Sequence, residues 1–259
     1  ALSPDVPATA GGDEPTLIQR RTGVPVFVGR QRAQAAQALL SVHPEVNVLV
    51  CDDGLQHYAL GRDIAIVVFD DRGLGNGWLL PAGLLREPWP PVEKDHLLPH
   101  LMLQPFNAPP APGALPIFGT RRHLAKEAVD AEGRRRPLAE FQNLDVIALA
   151  GIARPQVFFD MLRSSGIEPA TVWSLPDHAD QNALSRLSIP AGATVLCTEK
   201  DAVKLWPLMA ARPTDERPRV WSVPLQLEIE PAFFEAVDRR LARLTSGGRL
   251  SSTDGHQTA

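Results

Sequence analysis

Apolar and polar positions alternate between two regimes along the chain. Short β-branched and aromatic runs at Val24 to Val28, Asn47 to Cys51 and Asp63 to Phe69 predict buried strands. Between the first two, residues 31–41 (QRAQAAQALLS) favour a helix, with His43-Pro44 as its stop. Strand, helix, strand in that order predicts a parallel α/β sheet. Residues 71–92 are rich in Pro and Gly, and His96 to Leu103 predicts a further strand. Residues 105–116 then carry five prolines and cannot form one regular element.

A second α/β alternation follows. Leu144 to Ala150, Thr171 to Leu175, Ala193 to Cys197 and Arg219 to Pro224 predict strands. Residues 155–165 predict a helix with Phe158, Phe159 and Leu162 inward, stopped by Gly166. Residues 201–210 predict another, and Pro231 opens a last helix with Phe233, Phe234, Val237, Leu241 and Leu244 near one face. The charged patch Glu132 to Arg136 predicts a hairpin turn. The expected organisation is a parallel-sheet core over 1–115, a hinge over 116–140, a smaller α/β domain over 141–245 and a tail over 246–259.

Composition narrows the class. The chain has 259 residues, 44% hydrophobic and 22% charged, with 26 Lys plus Arg against 30 Asp plus Glu. A formal net charge of −4 lacks the basic excess of a nucleic-acid binder. No apolar run approaches the roughly 18–20 residues that span a bilayer. The two cysteines, Cys51 and Cys197, form neither a disulfide framework nor a zinc ribbon by spacing.

Candidate chemistry gathers where predicted strands end, as in open parallel sheets generally. Asn47 to His57 (NVLVCDDGLQH) is an apolar strand pattern ending in Asp52 and Asp53, then Gly54, Gln56 and His57. Carboxylates at a strand tip can hold Mg²⁺ beside a nucleotide phosphate, although an isolated Asp-Asp-Gly more often makes a turn. The loop Asp70 to Pro88 places Gly73, Gly75 and Gly77 at alternate positions, where backbone N–H groups can approach an anion, and ends in Arg86 and Glu87. Asp13 and Glu14 before Pro15 read as helix-capping acids, Asp177-His178 as a candidate oriented acid/base, and Thr198 to Asp201 as a helix cap with internal ion pairing.

In order along the chain, these segments resemble the tetraacyldisaccharide 4′-kinase family. The blocks are GDEP (12–15), RTGVPV (21–26), DDGLQHYALGRD (52–63), GNGWLLPAGLLREP (75–88), AGIARPQVFF (150–159), PDH (176–178) and TEKDAVKL (198–205). The resemblance implies a P-loop-kinase-like fold. It implies transfer of the ATP γ-phosphate to the 4′-hydroxyl of a tetraacylated glucosamine disaccharide 1-phosphate, at the cytoplasmic face of the bacterial inner membrane. It further implies Asp13 as general base, aided by His178 from a second domain. Asp52, Asp53 and Glu87 are implied for Mg²⁺ and phosphate, with Glu14, Gln56, His57 and Arg86 in the same site. Closure of the hinge is expected to assemble these groups.

One element of that family is missing. A P-loop needs G-x-x-x-x-G-K-[S/T], yet Lys94, Lys126, Lys200 and Lys204 are the only lysines and none precedes Ser or Thr. With Ala rather than Met as residue 1, the expectation is that the P-loop and a membrane-anchoring helix lie upstream, and that these 259 residues alone are inactive or nearly so. Two other readings compete with the kinase: a non-catalytic module that binds the acylated disaccharide or a protein partner, and a metal-dependent hydrolase built on Asp52 and Asp53. A hydrolase would want more metal ligands than these blocks supply.

Overall fold

A computed structural model describes residues 12–91, 99–177, 179 and 181–246. The chain forms two compact units that are not successive stretches of sequence. The first takes residues up to Asn47 together with Arg122–Gln226, and the second takes Val48–Arg121 together with the chain from Leu227 onward. The chain changes units at Arg121–Arg122, within the expected 116–140, and again at Asn47–Val48 and Gln226–Leu227. Residues 116–140 contribute strands and a hairpin, and the helix that opens with Asp13 groups with the later α/β segment.

The first unit holds a six-stranded sheet. Its strands are β4 (Glu127–Val129), β5 (Arg135–Pro137), β6 (Val146–Ala150), β7 (Thr171–Ser174), β8 (Thr194–Cys197) and β9 (Arg219–Ser222), in the order β5-β4-β9-β8-β6-β7. β6 runs parallel to both β7 and β8, and β8 parallel to β9; β4 is antiparallel to its neighbours. The chain leaves β6 to one side for β7, then returns to the other side for β8, so a topological switch point lies between β6 and β8. Val146, Ala148, Leu149 and Ala150 are fully buried, as a near-continuous apolar run in a parallel sheet should be.

Helices cover that sheet. α3 (Pro155–Ser164) starts with Pro at its first turn and buries Phe158, Phe159 and Leu162. Each such side chain contributes about 1.5–3 kcal/mol through removal from water. Gly166 follows in the left-handed region (φ 80°), returning its N–H to the Arg163 carbonyl. α5 (Glu199–Ala210) buries Ala202, Val203, Leu205 and Met209, and α1 (Asp13–Thr22) packs against it. α2 (Arg32–Val42) and the five-residue α4 (Gln181–Ser185) complete the unit's α-helices among the described residues. The β4–β5 hairpin turns on Asp130, whose carboxylate accepts from the backbone N–H groups of Glu132 and Arg134, with Gly133 at φ 78°.

The second unit contains β1 (Ile66–Val68), β2 (Leu101–Pro105) and the start of β3 (Ile117–Leu124), joined in parallel, with β10 (Leu225–Ile229) alongside β3. Its core is Leu101, Leu103, Phe118 and Phe233, the last from α6 (Pro231–Ser246). Phe118 and Phe233 meet edge-to-face with centroids 5.6 Å apart.

Two predicted strands do not form. Val24 to Val28 is reduced to a single bridge residue at Val26, Asn47 to Cys51 is irregular, and Val50 is 92% exposed. An apolar run becomes a strand only by pairing its backbone with a neighbour, and neither run finds a ladder among the described residues. The strand expected over His96 to Leu103 starts at Leu101, residues 92–98 lying outside the described set, as does the tail beyond Ser246. Among the described residues, no helix is long and apolar enough to cross a membrane.

Candidate functional site

In the second unit the Asp-Asp-Gly segment makes a tight turn. Asp53 adopts φ 49°, a left-handed conformation that Asp tolerates better than most residues, and the His57 N–H closes onto the Gly54 carbonyl at 3.1 Å. A Cβ on Gly54 would lie 2.9 Å from that of Cys51, so the turn needs glycine there. The capping-type turn and the acid display are therefore the same feature.

The loop after β1 is folded onto itself. Gly73, Gly75 and Gly77 all have positive φ, and each donates its N–H to a carbonyl three residues back. Their N–H groups serve successive turns and do not form the anion cradle that their spacing suggested. Arg72 is held on Asp70 through Nε and Nη2 at 2.8 and 2.6 Å, beside a cleft of about 230 Å³. Further on, Asn76 binds the Trp78 N–H and the Ala82 carbonyl, the Leu80 N–H donates to the Leu85 carbonyl, and the Leu85 N–H donates to the Trp78 carbonyl. A Cβ at Gly83 would fall 2.2 Å from the Trp78 carbonyl oxygen, so only glycine closes this loop. Leu85 is buried and anchors the segment that presents Arg86 and Glu87.

Those two residues reach back to the Asp-Asp-Gly turn. Arg86 Nη1 donates to both Asp53 oxygens at 2.6 and 2.7 Å and lies 3.4 Å from Gln56 Oε1. Gln56 Nε2 donates to Glu87 Oε1 at 2.8 Å, and the Tyr58 hydroxyl donates to the same oxygen at 2.7 Å. The Asp53 carboxylate raises the Arg86 pKa, and the bond to Glu87 raises that of Tyr58. Tyr58 is the chain's single tyrosine, and sequence reasoning gave it no role; its place directly after Gln56-His57 was the available signal. The Arg86 and Asp53 side chains are 53% and 61% exposed, so their ion pair contributes little to stability and can be exchanged for ligand contacts.

Asp52, Asp53 and Glu87 do not assemble into a ready metal cage: no group of three or more His, Cys, Asp or Glu suited to a metal occurs among the described residues. Asp53 is taken by Arg86 and Glu87 by Gln56 and Tyr58. Mg²⁺ commonly needs only one or two protein carboxylates, the rest of its shell coming from phosphate and water. The exposed donor set at this turn fits that mode.

In the first unit, Asp13 and Glu14 form the first turn of α1, where acids complement the helix dipole. Lys200 Nζ lies 3.4 Å from Glu14 Oε1 and 3.3 Å from Asp177 Oδ1. Asp177 sits just past β7, at the carboxyl edge of the parallel sheet. Its neighbour His178 lies outside the described residues. Because α1 and Asp177 belong to one unit, Asp13 and the Pro-Asp-His segment are not on separate domains as expected.

Thr198 caps α5 as anticipated. Its hydroxyl donates to Asp201 Oδ2 at 2.6 Å and accepts from the Asp201 N–H at 3.2 Å. The same Asp201 oxygen accepts the Gly151 N–H at 2.9 Å, tying the tips of β6 and β8 at the switch point. A Cβ on Gly151 would lie 2.7 Å from Asp201 Oδ1, so this approach needs glycine. Burial pushes the pKa values of Asp201 and Glu199 up. The Lys200 charge acts on Asp201 within the segment, and the segment also pairs outward: Lys200 with Glu14 and Asp177, and Glu199 with Arg21 of α1 at 3.4 Å.

A family model described as LpxK, tetraacyldisaccharide-1-P 4′-kinase, matches residues 1–242. The tetraacyldisaccharide 4′-kinase of Polaromonas naphthalenivorans is 50% identical over 257 residues, covering 99% of this chain and 71% of the relative. That of Acidovorax sp. strain JS42 is 51% identical over 237 residues, covering 92% of this chain and 65% of the relative. The chain thus spans about two thirds of the length of these relatives. A crystal structure of LpxK from Aquifex aeolicus in complex with ATP superposes with a TM-score of 0.71, covering 93% of this chain and 71% of that one. At 24% identity that likeness speaks for the fold.

Proposed function

Because the chain belongs to the tetraacyldisaccharide-1-P 4′-kinase family, we propose that it supplies the acceptor-activating and phosphate-ordering groups for ATP-dependent phosphorylation of the 4′-hydroxyl of a tetraacylated glucosamine disaccharide 1-phosphate. The observation that carries this is the contact between two motifs some 30 residues apart. Arg86 and Glu87 close onto Asp53 and Gln56, so a cation, carboxylates and an amide meet at one exposed turn.

Phosphoryl transfer asks little covalent chemistry of a protein; it needs positioning and neutralisation of charge on the transferred group. In this reading Arg86 leaves Asp53 for phosphate oxygens, and Asp52 and Asp53, with Glu87, hold Mg²⁺. The metal, when bound, neutralises the charge on the phosphates. Gln56, His57 and Glu14 order the acceptor and phosphate oxygens by hydrogen bonds. Asp13 accepts the proton of the attacking 4′-hydroxyl, and His178 assists it. The acyl chains of the acceptor place the reaction at a membrane surface, here assigned to the cytoplasmic face of the inner membrane.

The test uses the full gene product with Mg²⁺-ATP and the acylated disaccharide 1-phosphate in detergent. Asp13→Ala should lower kcat by roughly 10²–10⁴-fold while leaving ATP affinity nearly unchanged. Undiminished turnover would overturn the assignment of the base, and a failure to phosphorylate the 4′ position at all would overturn the activity itself.

A further inference from the structure

We propose that Lys200 is a positioning residue for the proton acceptor: its ammonium, bridging Glu14 and Asp177, fixes the first turn of α1 and thereby the place of Asp13. This rests on the reading of Asp13 as general base. Gly12 at the N-cap of α1 offers no side-chain cap, and the Thr16 N–H and hydroxyl both close onto the Gly12 carbonyl. A helix start without a capping side chain frays readily.

Lys200 is built to oppose that fraying. Its side chain is only 14% exposed, whereas its partners Glu14 and Asp177 are 57% and 40% exposed. The lysine is therefore the fixed member and the acids are what it gathers. It is fixed because Thr198 caps α5, and Asp201 then locks that cap to Gly151 at the end of β6. A second tether, Arg21 to Glu199, joins the far end of α1 to the same turn of α5. Two adjacent residues of one rigid cap thus grip both ends of the helix. The TEKD segment registers α1 against the carboxyl edge of the sheet, a task beyond capping its own helix.

The experiment compares Lys200→Met, Lys200→Arg, Asp13→Asn and the double variant Lys200→Met with Asp13→Asn, in the full gene product. Lys200→Met should lower kcat by roughly 10- to 100-fold, the scale of a small misplacement of a reacting group, with KM for ATP within about 2-fold. Lys200→Arg should recover most of the loss. In the double variant the two losses should not multiply, because Lys200 acts through Asp13. Unchanged kcat in Lys200→Met, or losses that multiply in full, would overturn the proposal. Hydrogen exchange of the amides from Thr16 to Gln19 is read in the same variants. Lys200→Met should speed it about 10-fold, and unchanged exchange overturns the positioning role even if Asp13→Asn proves active. Active Asp13→Asn with faster exchange would refute only the base assignment.

Discussion

Two clusters that each follow an apolar run use similar residues under opposite conditions of exposure. At the Thr198–Asp201 cap the charged groups are buried: Asp201 is 0% and Lys204 8% exposed, and Lys204 donates to the Ala179 carbonyl at 2.9 Å. At the Asp52–His57 turn, Arg86, Asp53 and Tyr58 stand in solvent, Arg86 pairing with Asp53 and Tyr58 with Glu87. Buried polar groups are costly unless committed, so the first cluster is a brace whose partners cannot be exchanged. Exposed pairs cost little to open, so the second cluster can trade its internal partners for a ligand. Sequence alone marks both as acids after an apolar run; exposure separates their tasks.

The sharpest way to break that distinction is Arg86→Ala. If the exposed pair exists for phosphate, kcat/KM for Mg²⁺-ATP in the full gene product should fall by roughly 10²–10³-fold. Stability should change by less than about 1 kcal/mol, since the pair is open to water. Urea unfolding and steady-state kinetics on one preparation check both. A large loss of stability with little loss of activity would place Arg86 in the brace class instead.

Asp201→Ala is the mirror experiment. It strips the Gly151 N–H and the Thr198 hydroxyl of their acceptor inside the protein, at a cost of about 2–3 kcal/mol. The first unit should unfold at clearly lower urea. An unaltered midpoint would mean that the switch-point tie contributes nothing.

Much of the first unit was legible in the sequence. β6 to β9 and α3 there, and α6 in the second unit, fall within a few residues of their predicted bounds, because apolar strand runs and amphipathic helices carry their element type in their own periodicity. Val24 to Val28 and Asn47 to Cys51 have the same apolar character and form no strand, since pairing is a property of the neighbour and not of the run. In the candidate site, the turn at Asp53 was readable from Asp-Asp-Gly. The spacing of Gly73, Gly75 and Gly77 misled, because it cannot show that their N–H groups are already spent on turns. Tyr58 on Glu87 and Lys200 between Glu14 and Asp177 join residues 29, 23 and 186 positions apart. No local pattern encodes contacts at that separation.

Tyr58→Phe sharpens the comparison from the exposed side. It removes one of two donors to Glu87 Oε1 and leaves Gln56 in place. A roughly 2- to 5-fold fall in kcat/KM is expected, the scale of one neutral hydrogen bond, with no change in unfolding midpoint. A drop as large as that of Arg86→Ala would make the tyrosine a principal member of the site.

The smallest expected effect concerns pH. Both the Gly151 N–H and the Thr198 hydroxyl go to Asp201 Oδ2, while buried Oδ1 has no hydrogen-bond partner. Burial therefore wins over these two bonds and over the nearby Lys204 and Lys200 charges, and the pKa rises above its ordinary value of 3.8. From that value upward to the raised one, the folded protein binds more protons than the unfolded chain. Its stability must then fall as pH rises through this window, and become flat in this respect above it. Glu199, raised by its own burial against the pull of Arg21, adds a slope of the same sign. Asp201→Asn removes only the first contribution, so the stability difference between the parent and the variant should decline with rising pH across the window. Urea midpoints at matched ionic strength measure it. A difference that grows with pH would mean that the carboxylate is stabilised as an anion, and that the brace works by charge attraction rather than against desolvation.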